Sequence, residues 1–184
     1  MKLKQTFGSD KPIIGMVHLP PLPSAPLYDA KGGMAKIVES CVRDIEALQS
    51  GGIDAIMFGN EGDRPYLLKA SPVTLASMAF VIGEVKRTIK VPFGVNYLWD
   101  PVATVSLAVA SGAAFAREIF TGVYDSDMGI WAPDAATALR IRSDCQRADL
   151  KLLFNINAEF ASPIGTRSIA QRAKSAVFSS LADV

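Results

Sequence analysis

Five short apolar runs recur along the chain: Ile13 to Leu19 (IIGMVHL), Ile53 to Gly59 (IDAIMFG), Val91 to Leu98 (VPFGVNYL), Phe115 to Thr121 (FAREIFT) and Leu150 to Ile156 (LKLLFNI). Each is followed by a loop rich in Gly, Pro or Asp and then by a longer stretch with helical periodicity. That rhythm predicts repeated βα units. The runs are continuous instead of alternating apolar with polar, which suits parallel strands buried on both faces beneath helices. A sixth run begins at Ala182 (ADV).

The intervening segments carry helix signals of their own. Met34, Ile37, Cys41, Ile45 and Leu48 recur at spacings of three and four opposite Lys36, Glu39, Arg43 and Glu46, and Gly51-Gly52 supplies the stop. Ser71-Pro72 and Asp100-Pro101 each set a capping side chain before a proline at the first helical position, where the missing N–H costs nothing. The second of these helices is built from small apolar residues up to Gly112, and further helices are predicted over Ala135 to Gln146 and Ser168 to Leu181.

Two folds compete for this pattern, a TIM-type (β/α)8 barrel and an open doubly wound sheet. A dinucleotide-binding open sheet would carry G-x-G-x-x-G after its first strand, whereas this chain reads HLPPLPSAP there. The barrel is preferred, as one α/β domain over residues 1–184 holding the first five βα units and the start of strand six. Eight such units typically need roughly 250 residues, so the domain is read as incomplete.

Composition narrows the partners. With 19 Lys+Arg against 18 Asp+Glu and no dense basic run, nucleic acid is not an expected partner. The two cysteines, Cys41 and Cys145, have neither zinc-site spacing nor the density of a secreted disulfide scaffold, which suggests a reducing cytoplasm. Signal-peptide and membrane-span patterns are missing, so any membrane association is expected to be peripheral.

Chemistry in either fold gathers at the carboxyl ends of the strands. His18, the single histidine, closes the first run as a candidate general base, metal ligand or hydrogen-bond donor, or simply as a loop cap. The second ends in GNEGDRP, the richest polar cluster, with Asn60 and Glu61 as site candidates and Asp63 and Arg64 as turn residues. Asn96 lies within an apolar strand and must find partners if buried, while Asp100 reads as a helix cap and Trp99 as a packing surface.

The fourth run is the most unusual, because Arg117 and Glu118 interrupt it and must face opposite sides. An interior Arg117 would need a carboxylate, for which Glu61 is a candidate, or an anionic ligand; a structural ion pair is the equal alternative. Tyr124, Asp125 and Asp127 follow in a loop as further ligand candidates or ordinary loop residues. The fifth run presents Asn155 and Asn157 and then Glu159, donors and acceptors suited to a sugar or polyol pocket. No Ser-His-Asp pattern, H-E-x-x-H spacing or P-loop appears, so no metal site is assigned and the cofactor stays open.

The stretches GMVHLPPLPSAP from Gly15, GGIDAIMFGNEGDRPY from Gly51, PFGVNYLWDP from Pro92 and FAREIFTGVYDSDMGIW from Phe115 resemble, in that order, the BtpA/SgcQ family. The NE pair, LWDP and REIFTG are most similar to its SgcQ-type branch, whose members are similar to proteins encoded among sugar-uptake genes. The BtpA branch is associated with photosystem I biogenesis at the thylakoid membrane. The resemblance implies a full-length barrel continuing through a strand like ADALCVSG and two more βα units, so that this chain stops within strand six. It brings no established reaction. Two functions are therefore expected. The first is a carbohydrate-related enzyme or binding protein for a sugar or sugar phosphate, with Glu61 and His18 as acid/base and Asn60, Asn96, Arg117, Asn155 and Asn157 binding substrate. The second is a non-enzymatic assembly or stability factor for a membrane complex. Homo-oligomerisation is compatible with both.

Overall fold

The computed structural model describes residues 3–184. Five parallel strands, β1 (Ile14–His18), β2 (Ala55–Gly59), β3 (Phe93–Asn96), β4 (Phe115–Glu118) and β7 (Lys151–Phe154), lie side by side in chain order. An open doubly wound sheet reverses its order at a switch point; a barrel steps always to the next strand, as here. The α/β barrel-type progression predicted from the runs is thus observed. Each apolar run extends a residue or more beyond its ladder. Beyond β7, Phe154 N–H donates to Val184 O at 2.8 Å and Asp183 N–H to Leu152 O at 3.1 Å, continuing the pairing at the predicted sixth run.

Helices α2 (Gly33–Ser50), α3 (Pro72–Val85), α4 (Pro101–Ser111) and α5 (Ala135–Asp144) connect successive strands, and α6 (Ile169–Ser180) follows β7. Their starts obey the cap chemistry of the sequence. Ser71 Oγ accepts from Thr74 N–H, and Asp100 accepts from the N–H groups of Val102 and Ala103, satisfying donors the first turn leaves unpaired. At the far end of α4, Gly112 takes a left-handed φ of 80°, which closes the helix without a Cβ clash.

One side chain in two along each strand faces the helices. Val17, Ile56, Phe58, Val95, Ala116 and Leu152 pack there with Ile37, Cys41, Ile45, Met78 and Ile82 of the helices. Each fully buried Val, Ile, Leu, Met or Phe side chain among them contributes about 1.5–3 kcal/mol. On the opposite, inner face the lower half is apolar: Met57, Phe115, Ile14 and Met16 cluster there with Phe7, and Leu153, level with Arg117, packs against them. Phe7 belongs to a short helix, α1 (Leu3–Phe7), and meets the Phe115 ring edge-on at 5.1 Å. Sequence patterning gave no signal for α1.

Nor did it reveal a second, antiparallel sheet, β6–β5–β8, formed by β5 (Tyr124–Ser126), β6 (Gly129–Trp131) and β8 (Ala161–Pro163). Strands of three residues have too little length to show a period. Tyr124 and Trp131 of this sheet join Tyr66 and Trp99, from the loops after β2 and β3, in an aromatic layer above the carboxyl ends: Trp99 and Trp131 lie 5.2 Å apart, Tyr66 is 5.9 Å from Trp99 and Tyr124 is 5.4 Å from Trp131.

Candidate functional site

Register brings four of the strand-end positions into one row. His18 pairs with Gly59 and Gly59 with Asn96, while the Val95–Ala116 pairing sets Asn96 beside Arg117. Since Val17, Phe58, Val95 and Ala116 face the helices, their neighbours in this row face inward, above the apolar lower half. Gly59 leaves the row open between His18 and Asn96: a Cβ there would lie 3.8 Å from His18 Cδ2 and 3.9 Å from Asn96 O.

Arg117 is half-buried, and its Nε donates to Asn155 Oδ1 at 2.9 Å. Among the described residues the ion pairs are Lys36–Asp29, Arg142–Asp183 and Arg147–Asp149, so Arg117 pairs with an amide and not with Glu61. The terminal guanidinium nitrogens of Arg117, the Asn155 Nδ2, the Asn96 Oδ1 and both His18 nitrogens have no hydrogen-bond partner among the described residues. Four side chains on one inner face therefore hold unspent donors and acceptors.

Of the two charges in the fourth strand, Glu118 is the one withdrawn from water, at 1% exposure. Its Oε2 accepts from Asn96 Nδ2 at 2.5 Å and its Oε1 from Ile119 N–H at 2.7 Å. Burial outweighs these bonds and the nearby Arg117 charge, pushing the carboxyl up from 4.5 to about 8. At neutral pH Glu118 is mainly protonated, and it fixes the Asn96 amide so that Oδ1 remains free.

Asn60 lies elsewhere. It follows Phe58 on the helix-facing side, is 2% exposed, and spends its amide internally. Its Oδ1 accepts from Leu98 N–H at 2.7 Å, and its Nδ2 donates to Asp63 Oδ2 at 3.1 Å. Asp63 Oδ1 in turn accepts from Leu22 N–H at 2.8 Å, so these two side chains tie the loops after β1, β2 and β3 together. Burial raises the Asp63 carboxyl above its ordinary range despite these bonds. Both also line a cavity of about 200 Å³ with Thr74 and Tyr97.

Glu61, in the same loop, is half-buried; its carbonyl accepts from Tyr66 Oη at 3.1 Å. Burial, then the Glu61 charge, push that phenol up to about 12. Asp100 Oδ2 accepts from Ala70 N–H at 2.9 Å in addition to capping α4. Trp99 packs in the aromatic layer, where its Nε1 is buried without a partner. Tyr124 is buried and donates to Thr121 O, whereas Asp125, Asp127 and Glu159 are exposed. Asn157 is exposed beside Arg172 of α6. Among the described residues no group of three His, Cys, Asp or Glu side chains is placed to hold a metal ion.

Reasoning from sequence passed over Glu118 as a positioning group and passed over the arginines of α6. A charge inside an apolar run was the available signal for the first; the spacing of Arg172 with Ser175 and Ser179 was the signal for the second.

A family model for the BtpA family matches residues 9–184. The chain belongs to the BtpA family. Among BtpA-family relatives, SgcQ, a protein of the sgc region of Escherichia coli (strain K12), is 46% identical over 98% of this chain and 68% of its own length. The photosystem I biogenesis protein BtpA of Synechocystis sp. (strain PCC 6803) is 31% identical over 100% of this chain and 64% of its own. The chain thus spans about two thirds of the length of these relatives. Its fold is similar to that of the 7,8-dihydropteroate synthase from Vibrio fischeri ES114, a TIM barrel, with a TM-score of 0.53 at 16% identity, covering 79% of this chain and 46% of that one. No helix among the described residues of this BtpA-family chain is long and apolar enough to cross a membrane.

Proposed function

We propose that this BtpA-family chain carries part of a small-molecule site for a sugar or sugar phosphate, in an enzyme or binding protein built on a larger barrel of which residues 1–184 are one incomplete domain. The observation that supports it is the inner-face row in which Arg117, Asn155, Asn96 and His18 retain free hydrogen-bonding atoms. A hydroxyl-rich ligand needs donors and acceptors in this mixture, and the Arg117 fork suits a phosphoryl or carboxylate oxygen pair. In this reading His18 and Glu61 serve as acid and base, and Asn96, Arg117 and Asn155 bind substrate. Asn60 holds the loops at the rim and Asn157 stands at its outer edge. Glu118 positions Asn96.

Thermal shift with a panel of hexoses and hexose phosphates tests this reading. A ligand at a hundredfold its Kd stabilises by about 2.7 kcal/mol, enough to raise Tm by several degrees. The expected result is such a rise with at least one phosphorylated sugar, larger than inorganic phosphate gives and reduced in Arg117→Gln. A flat response across the panel overturns it.

A second reading, a non-enzymatic assembly factor at a membrane complex, is supported by the 31% identity to the photosystem I biogenesis protein. It requires peripheral association and function through the surface, and Arg117→Gln would leave it intact. The cytoplasm as compartment is supported by two cysteines that are free, Cys41 and Cys145. Self-association is tested by sedimentation.

A further inference from the structure

Helix α6 carries apolar side chains on its exposed side. Ile169, Val177 and Phe178 are exposed, Phe178 at 87%, and Ala176 is its one buried residue. Arg172, Ser175 and Ser179 follow at i, i+3 and i+7 and so share a helical face. That face lines a cavity of about 160 Å³ together with Arg167 and with Thr121 and Tyr124 from the segment after β4. No acidic side chain lines it.

Its two guanidinium groups have no counter-charge. Neither enters an ion pair among the described residues. Arg172 Nη1 donates to Ile156 O at 3.0 Å, and both terminal nitrogens reach Asn157 Oδ1 at 3.4 Å, while the buried Nε has no partner. Arg167 Nη1 donates to Ser175 Oγ at 3.3 Å. Two guanidinium groups on one cavity with no carboxylate beside them favour an anion there, which supplies both counter-charge and hydrogen-bond acceptors. The α6 amides do not share this task, because the Ser168–Gln171 capping box occupies its N-terminus.

We propose that this cavity binds the phosphoryl group of a small ligand, with Arg172 and Arg167 meeting its oxygens and the Ser175 and Ser179 hydroxyls donating to them. Ligand pockets usually measure about 300–1,000 Å³, so a cavity of about 160 Å³ takes one group and not a whole cofactor. Two guanidinium groups and two hydroxyl donors match three phosphoryl oxygens better than a planar carboxylate. Neither His18, Asn96 nor Arg117 lines the cavity, so the assignment stands independently of the strand-end reading.

The test is titration of inorganic phosphate into the ¹⁵N-labelled chain in phosphate-free buffer, following the arginine Nε–H resonances, with calorimetry in parallel. The expected result is saturable binding in the millimolar range, about 4 kcal/mol at 1 mM, with the Arg172 Nε–H resonance shifting. Arg172→Gln weakens binding at least tenfold, and Ser179→Asp, which puts a carboxylate into the cavity, removes it. Arg140→Gln, an exposed arginine on α5, leaves it within twofold. Should any variant lose its fold, the Arg172 resonance in the unsubstituted chain still decides. Absence of saturation at tens of millimolar phosphate, a stationary Arg172 Nε–H, or undiminished binding in folded Arg172→Gln and Ser179→Asp overturns the assignment.

Discussion

Arg117 on β4 and Asn155, just beyond β7, are joined by a 2.9 Å hydrogen bond from Nε to Oδ1. The bond uses the one guanidinium nitrogen that cannot take part in a terminal fork and leaves the other two free. An arginine held in this way is oriented before a ligand arrives, which lowers the entropy lost on binding.

Replacing Asn155 therefore separates orientation from charge. Asn155→Ala keeps the Arg117 charge but releases its side chain. Ligand stabilisation in thermal shift is expected to fall without vanishing, and unfolding free energy to drop by about 1 kcal/mol in urea titration, the net worth of one such hydrogen bond.

Glu118 makes stability depend on pH. Its folded carboxyl is raised to about 8 by burial against an ordinary 4.5, so the folded chain binds the extra proton between those values. The contribution is fully present below about 4.5, and is lost as pH rises towards 8. Urea midpoints measured across this window should fall with rising pH, and the Glu118→Gln variant should show a shallower fall. Gln presents an N–H₂ where one of two donors, Asn96 Nδ2 or Ile119 N–H, is now accepted, so it is also less stable at low pH.

Asn60→Ala should damage the fold more than its exposed neighbours would. It leaves the Leu98 N–H without its 2.7 Å acceptor and deprives the buried Asp63 carboxylate of a donor. A loss of about 2–3 kcal/mol is expected in chemical denaturation. Arg64→Ala, exposed in the same loop, should stay within about 0.5 kcal/mol.

Gly94 has no room for a side chain. A Cβ there would sit 2.3 Å from Phe115 Cε2 and 2.4 Å from its Cδ2. Gly94→Ala should cost about 1–3 kcal/mol by overpacking. Combining it with Phe115→Leu should cost less than the sum of the two single changes, as a double-mutant cycle on unfolding free energy would reveal.

The sequence by itself determined the parts whose signals are local. Ser71-Pro72 and Asp100-Pro101 start helices because the cap oxygen and the missing N–H act within one turn. The five runs became the five parallel strands because continuous apolar segments of this length are stable only when covered on both faces. The three-residue strands of the second sheet and the short α1 escaped, since neither is long enough to impose a period.

Tertiary structure alone decided which polar residues share a surface. Asn60 and Asn96 each stand close to a strand end, yet inter-strand register turns Asn96 to the inner row and Asn60 to the loop clamp. Likewise the pattern FAREIFT announced one buried charge without saying which. Glu118 is that charge because Asn96 and the Ile119 N–H reach its two oxygens, and Arg117 keeps its fork in the open because Asn155 takes only its Nε. The Asn96–Glu118 and Arg117–Asn155 pairings join residues 22 and 38 positions apart, and distances of that kind are set by strand packing, not by any local preference of the chain.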